Sequence, residues 1–406
     1  MSQTEVQLIK ADAVQTADIA NSAVTDAKIS GLTSSKLTGA LPAISGASLT
    51  NLPASGKAKN FIINGAMQVA QRGTSSSSTT AGYHTVDRFR YAIGGHDEGA
   101  THAQVDVASG TSPYQAGFRK AYKITNGNQT SGAGSSDYIQ IDYYVEAQDI
   151  ANSGWDVTNS SSNLTFSFWM KSSVSQFFTF AIRCKDGTEQ VINFKTPVLS
   201  ADTWTKVTKT IAGNSNLTVN NDNGQGFQIM FFPFIGTDYT TVGLAEDTWS
   251  AWASAKHAVP NTSTWWTTND ATWEITGVQL EVGSVATDFE HMSFDQERER
   301  CFRYFRKYPS SGYVGHVGRV NGTTVSDTNF NIPKSMRTTP SVTLDSSGGF
   351  AFEYGSNAVG VSSASVGGFS AENVFMRFNL SGSATNGHAT YMQLSAGTFM
   401  KIDAEL

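Results

Sequence analysis

The sequence predicts a mainly β protein in which a fibrous N-terminal stalk precedes two compact β domains, and three observations carry this prediction. Short runs that alternate apolar and polar residues recur over most of the 406 residues, and such alternation is typical of half-buried strands. Glycine outnumbers proline by 37 to 9, which fits many tight turns. Residues 1–56 differ from the rest because they contain no aromatic side chain.

Residues 1–56 carry large aliphatic side chains about five residues apart. The stripe comprises Ile9, Val14, Ile19, Val24 and Ile29, followed after phase slips by Leu32 and Leu37. A lone helix repeats every ~3.6 residues and a strand every ~2, so neither explains this interval. Parallel association of identical chains would place equal residues at equal heights and bury the stripe. We expect an intertwined homotrimeric stalk, the alternative being a disordered linker.

Residues 57–292 predict a β-sandwich of the jelly-roll type. Strand-like alternation occurs in the segments LTFSFWMKSS, FFTFAIRC, TWTKVTKTI, FQIMFFPF and TWEITGVQLEVG. Turn residues bound these runs at the spacing found in sandwiches, and few helical stretches interrupt them. Two stacked antiparallel sheets would bury the apolar face of each run.

Residues 293–308 change the periodicity from that of a strand to that of a helix. One helical face would carry Phe294, Cys301, Phe302, Phe305 and Tyr308. Ser293 is a suitable N-cap and Pro309 a suitable end, so we expect an amphipathic helical connector. Residues 309–406 return to short alternating runs and predict a second, smaller β-sandwich, which would form the distal, receptor-binding tip.

Composition excludes several classes of function. The formal net charge is −6 and is spread along the chain, so we expect no contact with nucleic acid or an anionic membrane. No stretch approaches the ~18 apolar residues of a membrane span, and the polar start with Glu5 is unlike a secretory signal peptide. Cys184 and Cys301 are expected to be buried free thiols, and no cofactor is predicted.

Several segments resemble bacteriophage tail fibre and appendage proteins. NFIINGAMQVAQRGT followed by YHTVDRFRY resembles the start of that family's jelly-roll domain, and WEITGVQLEVGSVATDFEH followed by ERCFRYFRKY resembles its end. LPAISGASLTNLP resembles stalk segments, and MRTTPSVTL and KIDAEL resemble the distal β domain. The resemblance implies a virion protein, usually trimeric, that helps contact a host surface. Such a protein is made in the host cytoplasm, and the thin N-terminal segment is expected to dock to a tail adaptor or another tail protein.

The segment from Thr248 to Trp273 is the strongest indication of a ligand site. It holds five of the chain's eight tryptophans among Ser, Thr, Asn and Asp residues. Aromatic rings can pack on the apolar face of a sugar ring, so this composition fits glycan binding. The predicted binding residues are Trp249, Trp252, Trp265 and Trp266. The alternative is that these rings pack in the sandwich or against a neighbouring subunit, and Trp273 itself lies within a strand pattern.

Enzymatic and metal chemistry have less support. Glycoside hydrolysis needs two facing carboxylates. The closest acidic residues are neighbours in sequence only: Asp97 and Glu98, Glu246 and Asp247, Glu297 and Glu299. No nucleophile elbow, HExxH motif or P-loop occurs, and the seven histidines are scattered. We expect no catalytic residue and no metal site.

Two functions therefore compete, and a third survives beside them. The first is a tail fibre that binds a host-surface glycan or protein. The second is a tailspike that degrades the glycan, although no ~20-residue β-helix repeat is visible. The third is a structural capsid or neck appendage without a ligand.

Overall fold

The computed structural model describes residues 60–308, 312–331, 335–344, 350–354, 357–369, 373–394 and 399–406, all within the unit Pro53–Leu406. The predicted stalk contacts, from Ile9 to Leu37, lie outside the described residues, so the stalk and the trimer stay predictions. Where it is described, the chain is mainly β, which confirms the predicted fold class.

Two six-stranded antiparallel sheets form the predicted sandwich. Sheet 1 contains, in spatial order, β1 (Ser75–Ser76), β3 (Thr101–Asp106), β4 (Lys120–Thr125), β12 (Thr272–Val282), β6 (Asn163–Ser172) and β9 (Thr205–Ala212). Sheet 2 contains β11 (Trp249–Ala251), β8 (Gln190–Lys195), β7 (Thr179–Cys184), β10 (Gln225–Ile235), β5 (Tyr138–Glu146) and β2 (Arg90–Gly94). Two short helices, α1 (Ser112–Gln115) and α2 (Ala147–Ala151), lie in the connections.

The alternation of the sequence decides which side chains enter the space between the sheets. On β6, Phe166 and Phe168 are fully buried, and their rings meet Phe180 of β7 and Phe231 of β10. Phe168 and Phe180 lie edge to face at 5.1 Å. Each phenylalanine buried in this way stabilises the fold by ~1.5–3 kcal/mol relative to an exposed ring, so the aromatic content of the alternating runs forms the core of the sandwich.

A closed six-stranded barrel follows the sandwich. Its strands are, in spatial order, β14 (Gly312–Asn321), β15 (Val325–Asn331), β19 (Asn373–Leu380), β18 (Asn357–Phe369), β17 (Phe350–Tyr354) and β20 (Ala389–Leu394). The prediction that this region consists of β-strands is confirmed, but its predicted architecture as a sandwich is wrong, because β14 pairs with both β15 and β20 and closes the barrel. Two bulges bend the long strand β18, and closure removes exposed sheet edges.

A three-stranded sheet lies beside the barrel. It contains, in spatial order, β13 (Phe305–Tyr308), β21 (Met400–Asp403) and β16 (Ser341–Leu344). Met400 and Ile402 of the central strand are fully buried and belong to the same apolar cluster as the barrel interior. The sheet therefore completes the barrel core.

The helical connector is shorter than predicted. Helix α3 spans Phe294–Cys301, and Ser293 is its N-cap, with a reciprocal pair of hydrogen bonds to Gln296. The predicted helix to residue 308 is wrong, because Phe305–Tyr308 form β13 and pair with β21. As strand residues, Phe305 and Tyr308 are 1% and 8% exposed, so the three-stranded sheet buries the aromatic side chains at the end of the segment.

The buried face of α3 also differs from the predicted one. Phe294 is 49% exposed, whereas Glu297 is 4% exposed. The Glu297 carboxylate accepts a hydrogen bond from the backbone N–H of Asn64 at 2.6 Å, which satisfies the buried charge. Cys301 is buried on the same helix, and both it and Cys184 are free buried thiols, as predicted.

A cluster of buried ion pairs, here called the junction, joins the sandwich to the three-stranded sheet. It consists of Arg72, Asp87, Arg88, Glu146, Arg303, Asp403 and Glu405. Arg72 contacts Asp403 at 2.9 Å, Arg88 pairs with Glu405, and Arg303 pairs with Glu146 at 2.6 Å. The Arg88 guanidinium also lies 3.4 Å from the ring centre of Tyr304. Arg72, Arg88, Glu146 and Glu405 are largely withdrawn from water, whereas Asp403 is 37% exposed. Because the buried members need their partners, the junction fixes the two β regions against one another.

Candidate functional site

Two of the predicted glycan-binding tryptophans lie in the core. Trp265 and Trp266 are fully buried, so the prediction that their faces meet a ligand is wrong. Trp265 donates its indole N–H to the backbone carbonyl of Thr272 at 3.0 Å, and Trp266 donates to that of Gly132 at 2.9 Å. Thr264, Thr267 and Thr268 remain exposed while the two indoles between them point inward, and a sequence rich in Ser and Thr does not reveal this.

The other two tryptophans of the prediction are half-buried. Trp249 lies on β11, packs against the core near Phe227 and donates its indole N–H to the carbonyl of Ala212 at 2.9 Å. Trp252 instead packs on the outer face of sheet 2, where the Arg183 guanidinium lies 3.6 Å from its ring centre. Of the four predicted tryptophans, Trp252 alone has its ring against His257, a residue that lines a groove on this face.

The segment 236–261 folds over the outer face of sheet 2. An apolar cluster lies between this segment and the sheet, and it consists of Ala181, Val191, Met230, Phe232, Ile235 and Ala258. Backbone hydrogen bonds hold the segment in place: Gly236 donates to Asp137 at 2.7 Å and Trp252 donates to Glu189 at 2.9 Å. A side chain at Gly236 would approach the Ser135 carbonyl oxygen to 2.3 Å, so only glycine permits this close entry.

This segment supplies a row of aromatic rings across the sheet. Tyr138 of β5 meets Tyr239 edge to face at 5.5 Å, and Tyr239 meets His257 in the same way at 5.5 Å. His257 meets Trp252 at 4.3 Å, and Arg183 closes the row by stacking on Trp252. The rings are locked by one another and by the hydrogen bond from the backbone N–H of His257 to the Tyr239 carbonyl at 3.0 Å. Their positions are therefore fixed before a ligand arrives.

A buried carboxylate organises the polar side of the same face. Asp142 is fully buried, and its oxygens accept hydrogen bonds from Arg90 at 2.9 Å, from Gln228 at 2.9 Å and from Gln140. Gln228 also donates to the Tyr144 hydroxyl at 3.3 Å. Because one carboxylate fixes three planar side chains, their outward-facing atoms are held in a defined pattern.

The rings and the polar side chains border one groove, here called the sheet-2 groove. Its volume is about 200 Å³, and it is lined by Ala81, Arg90, Ala92, Tyr138, Gln140, Ile235, Tyr239 and His257. None of these described lining residues has a carboxyl group. The lining combines aromatic faces with guanidinium, amide, phenol and imidazole groups, which suits binding of a polyhydroxylated ligand.

Burial changes the titration of two groups near this groove. Burial raises the pKa of Asp142, although hydrogen bonds from Gln140 and Gln228 and the charge of Arg90 act in the opposite direction. Burial lowers the pKa of His257, against a hydrogen bond with the Ser254 carbonyl. The imidazole is therefore neutral at neutral pH and can both donate and accept hydrogen bonds.

Sequence reasoning missed most of the groove. The run YIQIDYY, which begins at Tyr138, places Ile139, Ile141 and Tyr143 in the core and sends its polar partners outward. Period-2 alternation would have indicated this face. It would not have indicated that Tyr239 and His257, about 100 residues away, fold over it.

The paired acids named from the sequence serve structural contacts. Asp97 accepts hydrogen bonds from Ser131, Glu246 pairs with Lys195 at 2.8 Å and Asp247 pairs with Lys209 at 3.0 Å. Among the residues that the structure describes, no group of three His, Cys, Asp or Glu side chains could hold a metal ion. Within the same residues, none of the helices has the length and apolarity needed to cross a membrane.

Comparison with known proteins gives only distant structural likenesses. No family model matches the chain, and no curated protein matches it. A solved structure of the enzymatically active domain of tailspike protein 4 from bacteriophage CBA120 matches with 10% identity and a TM-score of 0.30, covering 55% of this chain and 21% of that one.

Two sugar-binding structures match at a similar level. A putative sugar-binding protein from Bacteroides thetaiotaomicron has 12% identity and a TM-score of 0.29, with 55% of this chain and 100% of that one covered. TmCBM61 in complex with β-1,4-galactotriose has 9% identity and a TM-score of 0.26, with coverages of 56% and 100%.

Proposed function

We propose that the chain is a phage tail fibre protein whose sandwich binds a host-surface glycan in the sheet-2 groove. The observation that carries the glycan part is the fixed row Tyr138, Tyr239 and His257 beside the side chains that Asp142 holds in place. A pyranose ring has apolar C–H faces and hydroxyls around its edge. Aromatic rings supply contact at a low ordering cost, and Arg90 and Gln140 supply donors and acceptors at the rim.

The virion part of the proposal rests on the resemblance of the sequence to tail fibre proteins. The segments NFIINGAMQVAQRGT and WEITGVQLEVGSVATDFEH bracket the sandwich. The five-residue aliphatic stripe supports a parallel homotrimer, and the order of stalk and compact domains supports docking through the N-terminus. Sedimentation equilibrium of the full chain should give a trimer, and a stable monomer at micromolar concentration would contradict the stalk proposal.

Binding is favoured over hydrolysis at this groove. A glycosidase needs an acid and a second carboxylate on either side of the scissile bond, and the lining of the groove contains neither. Asp142 lies beneath the lining and is occupied by Arg90, Gln140 and Gln228. Incubation with host polysaccharide should release no new reducing ends, and a steady release of such ends would favour the tailspike alternative.

The test of glycan binding uses the full chain and a panel of purified bacterial lipopolysaccharides and capsular polysaccharides on an array. Tyr239→Ala and Tyr138→Ala, which both remove a ring that lines the groove, should each weaken binding to the glycan recognised by the wild type by about tenfold, as aromatic anchors do. Phe294→Ala is the matched control, because this ring is 49% exposed on α3 and lies outside the groove lining. If the wild type binds no glycan, or if both groove variants bind as tightly as the control, the proposed site is wrong.

The location on the particle needs a separate experiment. Antibodies raised against the sandwich should label the tails of purified virions in electron micrographs. Labelling of the capsid or neck instead would support the structural appendage that the sequence leaves as an alternative.

A further inference from the structure

The opposite face of the sandwich carries a second and larger cavity. It lies on the outer face of sheet 1, has a volume of about 490 Å³, and is lined by Gln115, Ala116, Gly117, Phe118, Ser167, Trp169, Lys206, Gly277, Thr287, Asp288, Phe289 and His291. It is here called the sheet-1 cavity. Nothing in the proposed function requires this cavity, and it shares no lining residue with the sheet-2 groove.

The floor of the sheet-1 cavity is built around one glycine. Gly277 adopts φ +64°, and a β-carbon there would lie 2.6 Å from a ring carbon of Phe118. A bulge in the pairing of β12 with β6 lies between Thr276 and Gln279. The glycine therefore lets the Phe118 ring lie directly on the backbone of β12, where it meets Phe289 edge to face at 4.8 Å.

Two buried polar side chains of β12 hold one part of the cavity rim in place through hydrogen bonds. Glu281 and Gln279 are 2% and 1% exposed. The Glu281 carboxylate accepts hydrogen bonds from the backbone N–H of Thr287 at 2.9 Å and from its hydroxyl. The Gln279 amide oxygen accepts from the backbone N–H of Glu290 at 2.9 Å. The strand thus fixes the segment 287–291 over the face of sheet 1, so this wall is preorganised.

The other walls combine one half-exposed aromatic ring with side chains that donate hydrogen bonds and side chains that accept them. Trp169 of β6 lies directly opposite Lys206 of β9 in the strand pairing, and Gln115 and Asp288 complete the rim. Lysine donates, a carboxylate accepts and an amide does both. A rim of this composition does not select a strongly charged ligand, but it can satisfy hydroxyls that are both donors and acceptors.

We propose that the sheet-1 cavity is a second saccharide-binding site, which accepts a single pyranose residue against Trp169 with its hydroxyls directed at Lys206, Gln115 and Asp288. The cavity volume lies within the range of small-molecule sites. The two sheets are stacked ~10 Å apart, and the two sites face away from each other. One short oligosaccharide therefore cannot occupy both, and the sandwich would hold two separate chains of a surface polysaccharide and gain avidity.

The test uses saturation-transfer-difference NMR on the full chain with methyl pyranosides of glucose, galactose, mannose, N-acetylglucosamine and rhamnose as probes. The wild type should show saturation transfer to at least one of them at millimolar concentration. Trp169→Ala should weaken its binding about tenfold, and Lys206→Ala about fivefold, as expected for one lost hydrogen bond. Trp204→Ala is the matched control, because this half-buried ring packs on the same face of sheet 1 but does not line the cavity.

The variants separate this proposal from the proposed function. A double variant of the other site, Tyr239→Ala with His257→Ala, should leave pyranoside binding at the sheet-1 cavity unchanged. If that double variant abolishes all saturation transfer while Trp169→Ala and Lys206→Ala have no effect, the sheet-1 proposal is overturned and the sheet-2 groove stands. The reverse pattern would support the sheet-1 cavity and would not bear on the sheet-2 groove, which the polysaccharide array tests.

Two further outcomes would also overturn the sheet-1 proposal. One is the absence of saturation transfer to any probe. The other is a lower oligomeric state of Trp169→Ala in sedimentation equilibrium, which would show that a second copy covers the cavity. Because Lys206 is exposed, Lys206→Ala keeps the test valid even if Trp169→Ala folds poorly.

Discussion

The sandwich and the barrel are both antiparallel β structures, yet they fill their interiors differently. Between the sheets of the sandwich, phenylalanine rings interlock, with Phe168, Phe180 and Phe231 each within ~6 Å of another ring. The barrel interior also holds packed rings, with Phe352 and Phe378 5.0 Å apart. It adds Met376 and Met392 and a buried hydroxyl pair, Ser326 and Thr390, at 3.0 Å. Aromatic rings specify one packing, whereas methionines adapt to gaps, so the sandwich is the rigid support and the barrel the more tolerant region.

The largest expected effect tests this difference in packing. Phe168→Ala should lower the free energy of unfolding by about 4 kcal/mol, because the surrounding rings cannot collapse into the cavity. Phe378→Ala in the barrel, also fully buried, should cost about 2–3 kcal/mol, because the methionines beside it can partly refill the space. Urea denaturation of both variants measures the two values. Equal losses in the free energy of unfolding, or a larger loss for the barrel variant, would contradict the proposed difference in packing.

The junction between the two regions gives the next largest effect. Glu405→Gln leaves the Arg88 side chain, which is 1% exposed, with neutral hydrogen-bond partners only, the new amide and the Tyr144 carbonyl. This should cost about 3 kcal/mol. It should also loosen the barrel from the sandwich, so faster amide hydrogen exchange is expected in β13 and β21. Asp106→Asn is the matched control: its partner Lys120 forms an exposed pair, and such pairs contribute ~0–1 kcal/mol. A Glu405→Gln variant as stable as the control would show that the junction does not join the regions.

The two regions also differ in how far the sequence predicts them. The alternating runs LTFSFWMKSS and FQIMFFPF correspond to β6 and β10, because inward and outward residues follow the strand period whatever the partner strand. Barrel closure depends on β14 meeting β20, about 70 residues later. Local alternation is the same in an open sheet and a closed one, so the architecture of the barrel could not be predicted.

The candidate sites were less predictable than the strands for a related reason. Trp265 and Trp266 looked like ligand-binding rings because Ser and Thr surround them in sequence, but the path of their loop turns both indoles inward. The Tyr138, Tyr239 and His257 row and the Trp169 wall arise from residues that meet only in the folded sandwich. The sequence pattern named Trp252, which lies beside the groove, but not the side chains that line it.

A smaller change in the free energy of unfolding is expected when the pH changes. A buried group of the sandwich interior and a buried group of the junction shift it in opposite directions. Burial, together with the nearby His84, lowers the pKa of His102 from 6.5 to about 4. Unfolded chains therefore take up a proton between pH 6.5 and 4 that the folded state does not, so His102 makes stability fall as pH falls through this window. His102 alone contributes on the order of 3 kcal/mol over the whole window, and an opposing contribution from the junction reduces the net change.

Asp87 of the junction acts in the opposite direction. Burial raises its pKa from 3.8 to about 6, against Arg72 and Gln71, so the folded state binds more protons and stability falls as pH rises between 3.8 and 6. The two contributions offset each other in the wild type. His102→Gln should therefore become less stable from pH 4 to pH 6 by urea denaturation, relative to the wild type. If the stability of the variant and of the wild type changed with pH in parallel, the lowered pKa assigned to His102 would be contradicted.

The smallest effect concerns helix α3, which leads from the sandwich to the three-stranded sheet. The Ser293 hydroxyl accepts the backbone N–H of Gln296 at 3.3 Å, and the Gln296 side chain accepts the backbone N–H of Ser293 at 3.1 Å. Ser293→Ala removes the first of these bonds and should cost about 1 kcal/mol. Ser200→Ala, an exposed loop serine, is the control and should change stability by less than ~0.5 kcal/mol. Helix α3 also positions Glu297 against Asn64. A loss of stability well above that of a simple cap would therefore mean that disturbing the start of the helix also weakens this contact with the sandwich. A loss equal to the control would mean that tertiary packing alone holds the helix in place.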